Sequence, residues 1–230
     1  RGDVVPRQFL RVVAGENRKP FSDGSGRREL AEAIVDPANP LTPRVISNRV
    51  WMHHFGLPLV ETPSDFGMRS EEPVQLDVLD YLSSHLLQNN WSLKELHREI
   101  MLSATYRQAS ADRPDARAAD PENRLLWRMN RRRLEFEPLR DALLAVSGKL
   151  DRTMGGRPVD IFTNVESGRR SVYAFIDRQD LPNLLRAFDF ASPDASTARR
   201  PTTTVPQQAL LMMHSTFVIA QAKALLNSEP

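Results

Sequence analysis

The sequence predicts a mainly α-helical protein: an irregular multi-helix domain with a small β or extended segment near residues 157–177. Three observations support this class. Apolar residues recur at helical spacing in several segments, start and stop signals bound those segments, and only 169–177 has the β-branched and aromatic composition of a strand. No internal repeat or low-complexity tract is present, so residues 1–230 are interpreted as a single domain.

The first 26 residues form an irregular lead-in, which closes with the turn cluster SDGSG. A helix is expected from Arg27, and the three prolines of DPANPLTP forbid its continuation. A second helix should run from about Thr42 to Phe55 and stop at Gly56, since glycine favours a helix C-terminus.

The next two helices have stronger signals. A stripe of leucines predicts a third helix over about 73–88. In WSLKEL, Ser92 stands at the N-cap and Glu95 three residues later, which is the capping-box pattern, with Trp91 and Leu96 as its hydrophobic staple. This fourth helix should extend to about Ser103 or Tyr106.

The second half of the chain is less regular. Residues 109–120 are expected to be a polar internal linker, after which Asp120 should cap a helix that begins at Pro121. The amphipathic segment 134–148 predicts a helix that ends at Gly148.

Beyond the strand predicted at 169–177, LPNLLRAFD predicts a short helix. The capping-box pattern TVPQ, at 204–207, should open a last helix that continues to about Leu226.

The composition, 40% hydrophobic and 26% charged over 230 residues, is that of a globular protein able to bury a core. The 31 Lys and Arg residues nearly balance the 29 Asp and Glu residues, which argues against a nucleic-acid partner. The absence of cysteine excludes thiolate metal sites, disulfides and covalent haem attachment. No apolar run is long enough to span a membrane.

Two adjacent histidines in NRVWMHHFG, His53 and His54, are the most chemistry-like local feature. Chelation from one helix uses residues at i and i+4, whereas adjacent side chains point about 100° apart. The other histidines are scattered, so the sequence predicts no metal site. We interpret this stretch as a packed helix whose histidines organise neighbouring segments.

Two arginine-rich segments offer alternatives. In 128–141, Glu137 could reach Arg133 and Arg140 by helical spacing and form a buried network, or adjacent arginines could form an anion pocket. In 199–208, Arg200 and a helix N-terminus are compatible with an anion or sugar-hydroxyl site, or with a simple N-cap.

The ordered motifs also resemble a known family. They are NPLTPRVISNRVWMHHFG, LVETPSDFG, WSLKELHREIMLSATYRQ, DPENRLLWRMNRRRLEFEPLRDALLAVSGKLD, RRSVYAFIDR and TTTVPQQALLMM. Together they resemble the DUF1553 family, the C-terminal domain of large planctomycete proteins. Two positions depart from its pattern: Pro58 replaces a glycine after the histidine helix, and His214 stands where the family often has asparagine.

The resemblance implies a longer, exported parent protein at the cell surface or in the periplasm, which would take part in redox chemistry or bind polysaccharide. In it, a DUF1549 domain and often a cytochrome c or lectin-like module precede this domain. The chain also begins at Arg1 without an initiator Met, which we interpret as the start of a fragment. Haem would then belong to an upstream domain, and no cofactor is expected in this chain. The resemblance transfers no catalytic residue.

Three functions follow as hypotheses. The first is a non-catalytic module that docks onto or supports upstream domains. The second is an extracellular hydrolase acting on a glycan or ester, in which His54 or a carboxylate is general base and arginines hold an anion. The third is nucleic-acid binding, which the balanced charge opposes. The candidate catalytic residues are His54, Asp65, Arg133, Glu137 and Asp141, and the candidate binding residues are Asn48, Arg49, Arg140, Arg200 and Gln207.

Overall fold

The chain forms helices joined by turns and irregular segments in a computed structural model that describes residues 5–164 and 166–227. The predicted mainly α class is confirmed, and no sheet forms among those residues. The chain divides into two compact units, Arg1–Arg132 (unit 1) and Arg133–Pro230 (unit 2). Each unit has its own hydrophobic cluster.

Unit 1 is built from helices of very different length. Its longer helices supply the core, whereas its shortest helices make about one turn each. In chain order they are α1 (Arg11–Ala14), α2 (Arg27–Val35), α3 (Leu41–Phe55), α4 (Leu76–Gln88), α5 (Leu93–Leu102), α6 (Ala104–Arg107) and α7 (Pro114–Ala119).

The core of unit 1 is formed mainly by α3, α4 and α5. In α4, Leu79, Leu82 and Leu86 recur at spacings of three and four residues, so they share one helix face, and all are buried. Trp51 and Phe55 of α3 join this cluster with stacked rings, 4.0 Å between centroids. Each such buried side chain stabilises the fold by about 2 kcal/mol.

Two helix ends in unit 1 confirm the local signals. Helix α3 ends at Gly56, whose φ of 82° is readily accessible only to glycine. The Ser92 hydroxyl caps α5 by accepting a hydrogen bond from the Glu95 amide at 3.4 Å. The reciprocal half of the capping box is missing, because the Glu95 carboxylate pairs with Arg98.

Three segments of unit 1 differ from the prediction. The irregular lead-in contains α1, and the expected linker contains α7, where Pro114 pre-sets the helical φ at the first turn. Asp120 ends α7 and does not cap a new helix. Its carboxylate instead accepts hydrogen bonds from the backbone amides of Arg124 and Leu125, a local turn that competes with helix formation.

Unit 2 has fewer long helices and more irregular chain. Its elements are α8 (Phe136–Val146), the 3₁₀ turn Ser171–Tyr173, α9 (Asn183–Ala187), α10 (Pro206–His214) and α11 (Thr216–Asn227). Helix α8 and the short helix α9 confirm the predictions for their segments. The buried cluster comprises Phe136, Ile161, Leu181, Leu185 and Phe188.

The extended segment near 157–177 is present, but the strand predicted at 169–177 is wrong. The chain there forms two isolated parallel bridges, Asp151 with Arg169 and Val159 with Ala174. Between the two bridged positions 169 and 174 it turns through the 3₁₀ segment, where the Asp141 carboxylate accepts from both the amide and the hydroxyl of Ser171. This side-chain anchor holds the backbone in a turn that β propensity cannot override.

The last predicted helix is two helices. Ser215 adopts extended geometry, and its carbonyl accepts the first hydrogen bond of α11, from the Ile219 amide. Serine favours this capping role over a helix interior. Among the described residues no single helix is long and apolar enough to cross a membrane; α10 and α11 meet that criterion only as a pair bent by 51°.

Candidate functional site

The two adjacent histidines of α3 lie in different surroundings. His53 is exposed, whereas His54 is half-buried and its Nε2 lies 2.7 Å from Nδ1 of His97 in α5. The Tyr106 ring meets the His54 ring edge-on, with centroids 5.3 Å apart. The candidate site in unit 1 is therefore a histidine pair, His54 with His97, and the ring of Tyr106 packs against it.

The end of α3 is held in place around this pair. Arg132 donates a hydrogen bond to the His53 carbonyl at 2.8 Å, and Asn130 donates to the Phe55 carbonyl at 3.0 Å. Arg132 also packs on Gly56, where an added Cβ would lie 2.4 Å from its Cδ. These contacts satisfy helix-end carbonyls and so fix the backbone that carries His54.

Burial lowers the pKa of His54 below its ordinary value of 6.5, and the charges of His97, Arg132 and His53 lower the pKa further. His54 is therefore neutral at pH 7. At 2.7 Å one ring of the pair donates an N–H to the lone pair of the other, which of the two depending on the tautomers. A neutral imidazole held in this way can accept a proton, the chemistry of a general base.

The pair supplies two nitrogen atoms and no further metal ligand. Within residues 5–164 and 166–227, no group of three or more His, Cys, Asp or Glu side chains could hold a metal ion. A tetrahedral zinc site uses three or four protein ligands. The arrangement is suited to proton sharing between two imidazoles.

The other candidates of unit 1 serve the backbone or solvent. Asn48 is buried, and its amide group both donates to the Val60 carbonyl at 3.1 Å and accepts from the Val60 amide at 3.0 Å. The Asp65 carboxylate accepts from the Gly67 amide and pairs with Arg69 at 3.5 Å. Arg49 is exposed. The hydrogen bond of His54 goes to His97 and not to any of these three.

In unit 2, Glu137 pairs with Arg200. The two η nitrogens of Arg200 donate to the two carboxylate oxygens of Glu137 at 2.9 and 3.0 Å, and Glu135 accepts a further bond at 2.8 Å. Burial alone would lower the pKa of Arg200, but the hydrogen bonds to Glu137 and the charges of Glu137 and Glu135 outweigh burial and raise the pKa. Helical pairing of Glu137 with Arg133 was a wrong prediction, because α8 begins only at Phe136.

Arg133 and the start of α10 form a second polar contact. Arg133 donates to the Thr203 carbonyl at 3.2 Å and to the side chain of Gln208, which is buried and itself donates to the Ala187 carbonyl. Gln207, the predicted binding residue, is exposed. The capping box predicted at 204–207 is wrong, because α10 begins at Pro206 with Val205 as N-cap and no side-chain cap.

Arg140 and Asp141 both bind the loop around residues 167–171. Arg140 is buried, with its side chain 4% exposed, and it donates to the carbonyls of Ser167 and Arg169 and to the Ser171 hydroxyl. Asp141 accepts from Ser171 and lies 3.8 Å from Arg140. These two neighbours of α8 thereby anchor the chain around residues 167–171.

Sequence reasoning overlooked three residues that take part in these contacts: His97, Gln208 and Ser171. One of them had a detectable signal. His97 lies between Leu96 and Ile100, which are both buried, so it stands at the edge of the apolar stripe of α5. A histidine at such a position needs a polar partner. Gln208 and Ser171 carry no comparable local signal, since their partners are distant in sequence.

Comparison with known proteins agrees with the motif resemblance. Residues 26–229 match the family described as PSD1, a protein of unknown function (DUF1553). No curated protein and no solved structure matches the chain.

Proposed function

The chain belongs to the DUF1553 family, whose description assigns no activity, and from its geometry we propose that it is a non-catalytic helical module. It belongs to a large exported bacterial protein, where it docks onto or supports upstream domains of cytochrome c-like or carbohydrate-related type. The observation that carries this proposal is that several of the predicted polar residues, Asn48, Arg140 and Arg200 among them, form contacts that hold the backbone or the charges of their own unit.

Three contacts illustrate this use. Asn48 satisfies both backbone groups of Val60, Arg140 binds the loop at 167–171, and Arg200 pairs with Glu137 and Glu135. A side chain that leaves such a contact exposes an unpaired buried group, with a penalty of about 1–3 kcal/mol. Asn48 and Arg200 are therefore suited to a stiff scaffold and poorly suited to binding a substrate.

An exposed apolar surface on unit 2 supports the docking role. Helices α10 and α11 expose large apolar side chains: Leu210 at 53%, Met213 at 67% and Leu226 at 85%. Large exposed apolar side chains are typical of protein–protein contact sites where they form a patch. We assign this surface to an upstream domain of the same polypeptide.

The test is calorimetric titration of the chain into the separately produced upstream domain of its parent protein. Saturable binding is expected, and Met213→Glu should weaken it at least tenfold by placing a charge in the apolar contact. Leu102→Glu is the matched control, because Leu102 is similarly exposed, at 64%, but lies on α5 of unit 1. Absence of binding, or equal weakening by both variants, contradicts the docking proposal.

A hydrolase acting on a glycan or ester is the second candidate, and the His54–His97 pair is what favours it. A neutral, half-buried imidazole oriented by a second imidazole resembles the base and orienting residue of hydrolytic sites. Nitrophenyl ester and glycoside substrates would test this candidate. It predicts turnover that His54→Gln abolishes and that the exposed neighbour His53→Gln retains; turnover equal in wild type and His54→Gln contradicts it.

A further inference from the structure

Unit 2 contains an apolar cavity that its core leaves unfilled. The cavity has a volume of about 200 Å³ and lies among α8, α9, α10, α11 and residues 161–162. Its walls are aliphatic and aromatic, and include Leu143, Phe162, Leu211, Phe217 and Val218. The cavity is partly open to solvent, and an apolar cleft with a polar group in its wall is the usual form of a small-molecule site.

One charged side chain, Arg140, lines this cavity. Its guanidinium carbon lies 5.3 Å from the centre of the Phe217 ring, another cavity wall. Two residues of the cavity wall, Arg140 and Phe217, are therefore in cation–π contact. An otherwise apolar cavity with a single buried cation is complementary to a ligand that carries one negative charge on an apolar body.

The charge of Arg140 is only partly balanced within unit 2. Its hydrogen bonds go to neutral acceptors: the carbonyls of Ser167 and Arg169 and the Ser171 hydroxyl. Asp141 is 3.8 Å away, and its Oδ1 already accepts from the amide and hydroxyl of Ser171. Burial accordingly lowers the pKa of Arg140, against the smaller opposing effect of Asp141. An incoming carboxylate would stabilise this guanidinium.

Donor capacity remains for such a carboxylate. A guanidinium has five N–H groups, and three are engaged by acceptors among the described residues. Arginine and carboxylate form short, charge-assisted hydrogen bonds, which strengthen where water is excluded. The remaining N–H groups are sufficient for one carboxylate.

We propose that this cavity binds a small apolar monocarboxylate, with its hydrocarbon body among the cavity walls and its carboxylate on Arg140. The volume sets the size. A cavity of about 150 Å³ accommodates benzene, with its six carbon atoms, so a void of about 200 Å³ suits about eight non-hydrogen atoms. Hexanoate has this size and charge. The lining residues of the cavity include neither the exposed residues assigned to the docking surface nor the histidine pair.

Calorimetric titration of the whole chain with hexanoate, hexan-1-ol and hexylamine tests both parts of the proposal. The three ligands share an apolar chain of equal length and differ in the charge of the head group. Hexanoate should bind saturably, hexan-1-ol about tenfold more weakly, and hexylamine more weakly still, because its ammonium group meets Arg140. Equal binding of hexanoate and hexylamine, or no binding of hexanoate, overturns the proposal.

Substitutions in and beside the cavity wall test where the ligand binds. Val218 lines the cavity whereas its neighbour Ile219 does not, so Val218→Trp should reduce hexanoate affinity at least tenfold and Ile219→Trp should leave it unchanged. Arg140→Met should remove the preference for hexanoate over hexan-1-ol. The Val218 and Ile219 variants keep the test decisive if Arg140→Met does not fold, since both retain Arg140. Equal affinities for these two tryptophan variants overturn the assignment to this cavity.

Discussion

The two units differ in the interactions that hold their chains in place. Unit 1 buries an apolar cluster supplied by three substantial helices, and its buried polar residue Asn48 makes neutral hydrogen bonds to one backbone position. Unit 2 has more irregular chain and secures it with charge: Arg140 and Asp141 bind the loop at 167–171. Unit 2 also retains an apolar cavity beside Arg140.

The difference shows where helical periodicity is sufficient to specify how a segment packs. A stripe such as that of α4 buries enough apolar surface to define its own partners. An irregular segment has no such stripe, and its backbone groups must find donors and acceptors elsewhere. In unit 2 a buried arginine supplies those donors, so its loss should affect unit 2 far more than the loss of a neutral group affects unit 1.

The largest expected effect is that of Arg140→Ala. The carbonyls of Ser167 and Arg169 lose their donor and Asp141 loses its nearest cation, so the free energy of unfolding should fall by about 4 kcal/mol. All three tryptophans, Trp51, Trp91 and Trp127, lie in unit 1. Circular dichroism reports on the helices of both units, so its unfolding transition should move to lower urea concentration. Tryptophan fluorescence reports on unit 1, so its transition should hardly move.

Arg170→Ala is the control for this variant. Arg170 also lies near Asp141, at 3.9 Å, but its side chain is 49% exposed. An exposed ion pair contributes about 0–1 kcal/mol, so its removal should hardly move either transition. If Arg140→Ala and Arg170→Ala behave alike, the buried arginine does not distinguish unit 2 from unit 1.

The parts of the fold that were predicted correctly depend on neighbours in sequence. Ser92 caps α5 through a residue three positions away, and Gly56 ends α3 through its own conformational freedom. The strand predicted at 169–177 failed because Asp141, 30 residues from Ser171, fixes a turn there. The last helix was predicted as one because the capping preference of Ser215 is weak beside a continuous apolar pattern.

The candidate site shows the same division. Sequence reasoning singled out His54 but not His97, 43 residues away, because the pairing depends on how α3 and α5 pack. It selected Glu137 and Arg200 individually, yet only the structure pairs them, across 63 residues. The residue types indicated which side chains would form polar contacts, whereas the partner of each side chain depended on tertiary packing.

A smaller loss is expected for Asn48→Ala in unit 1. The amide and carbonyl of Val60 would lose their side-chain partner in a buried environment, which should lower the free energy of unfolding by about 2 kcal/mol. Tryptophan fluorescence during urea unfolding is the suitable probe. Asn17→Ala, at an exposed asparagine, is the control and should be neutral. A neutral Asn48→Ala would mean that unit 1 depends on apolar packing alone.

The smallest effect is the pH dependence that His54 gives to unit 1. Burial lowers the pKa of His54 in the folded state below 6.5, its ordinary value and the value expected on unfolding. As the pH falls through 6.5, the unfolded chain takes up a proton first, so the stability present above this pH is progressively lost. His54→Gln should flatten this part of the fluorescence-monitored stability profile, whereas the exposed His53→Gln should preserve it. If both variants keep the wild-type slope between pH 7 and pH 5, protonation of His54 is not linked to folding, and His54 has no electrostatic role in unit 1.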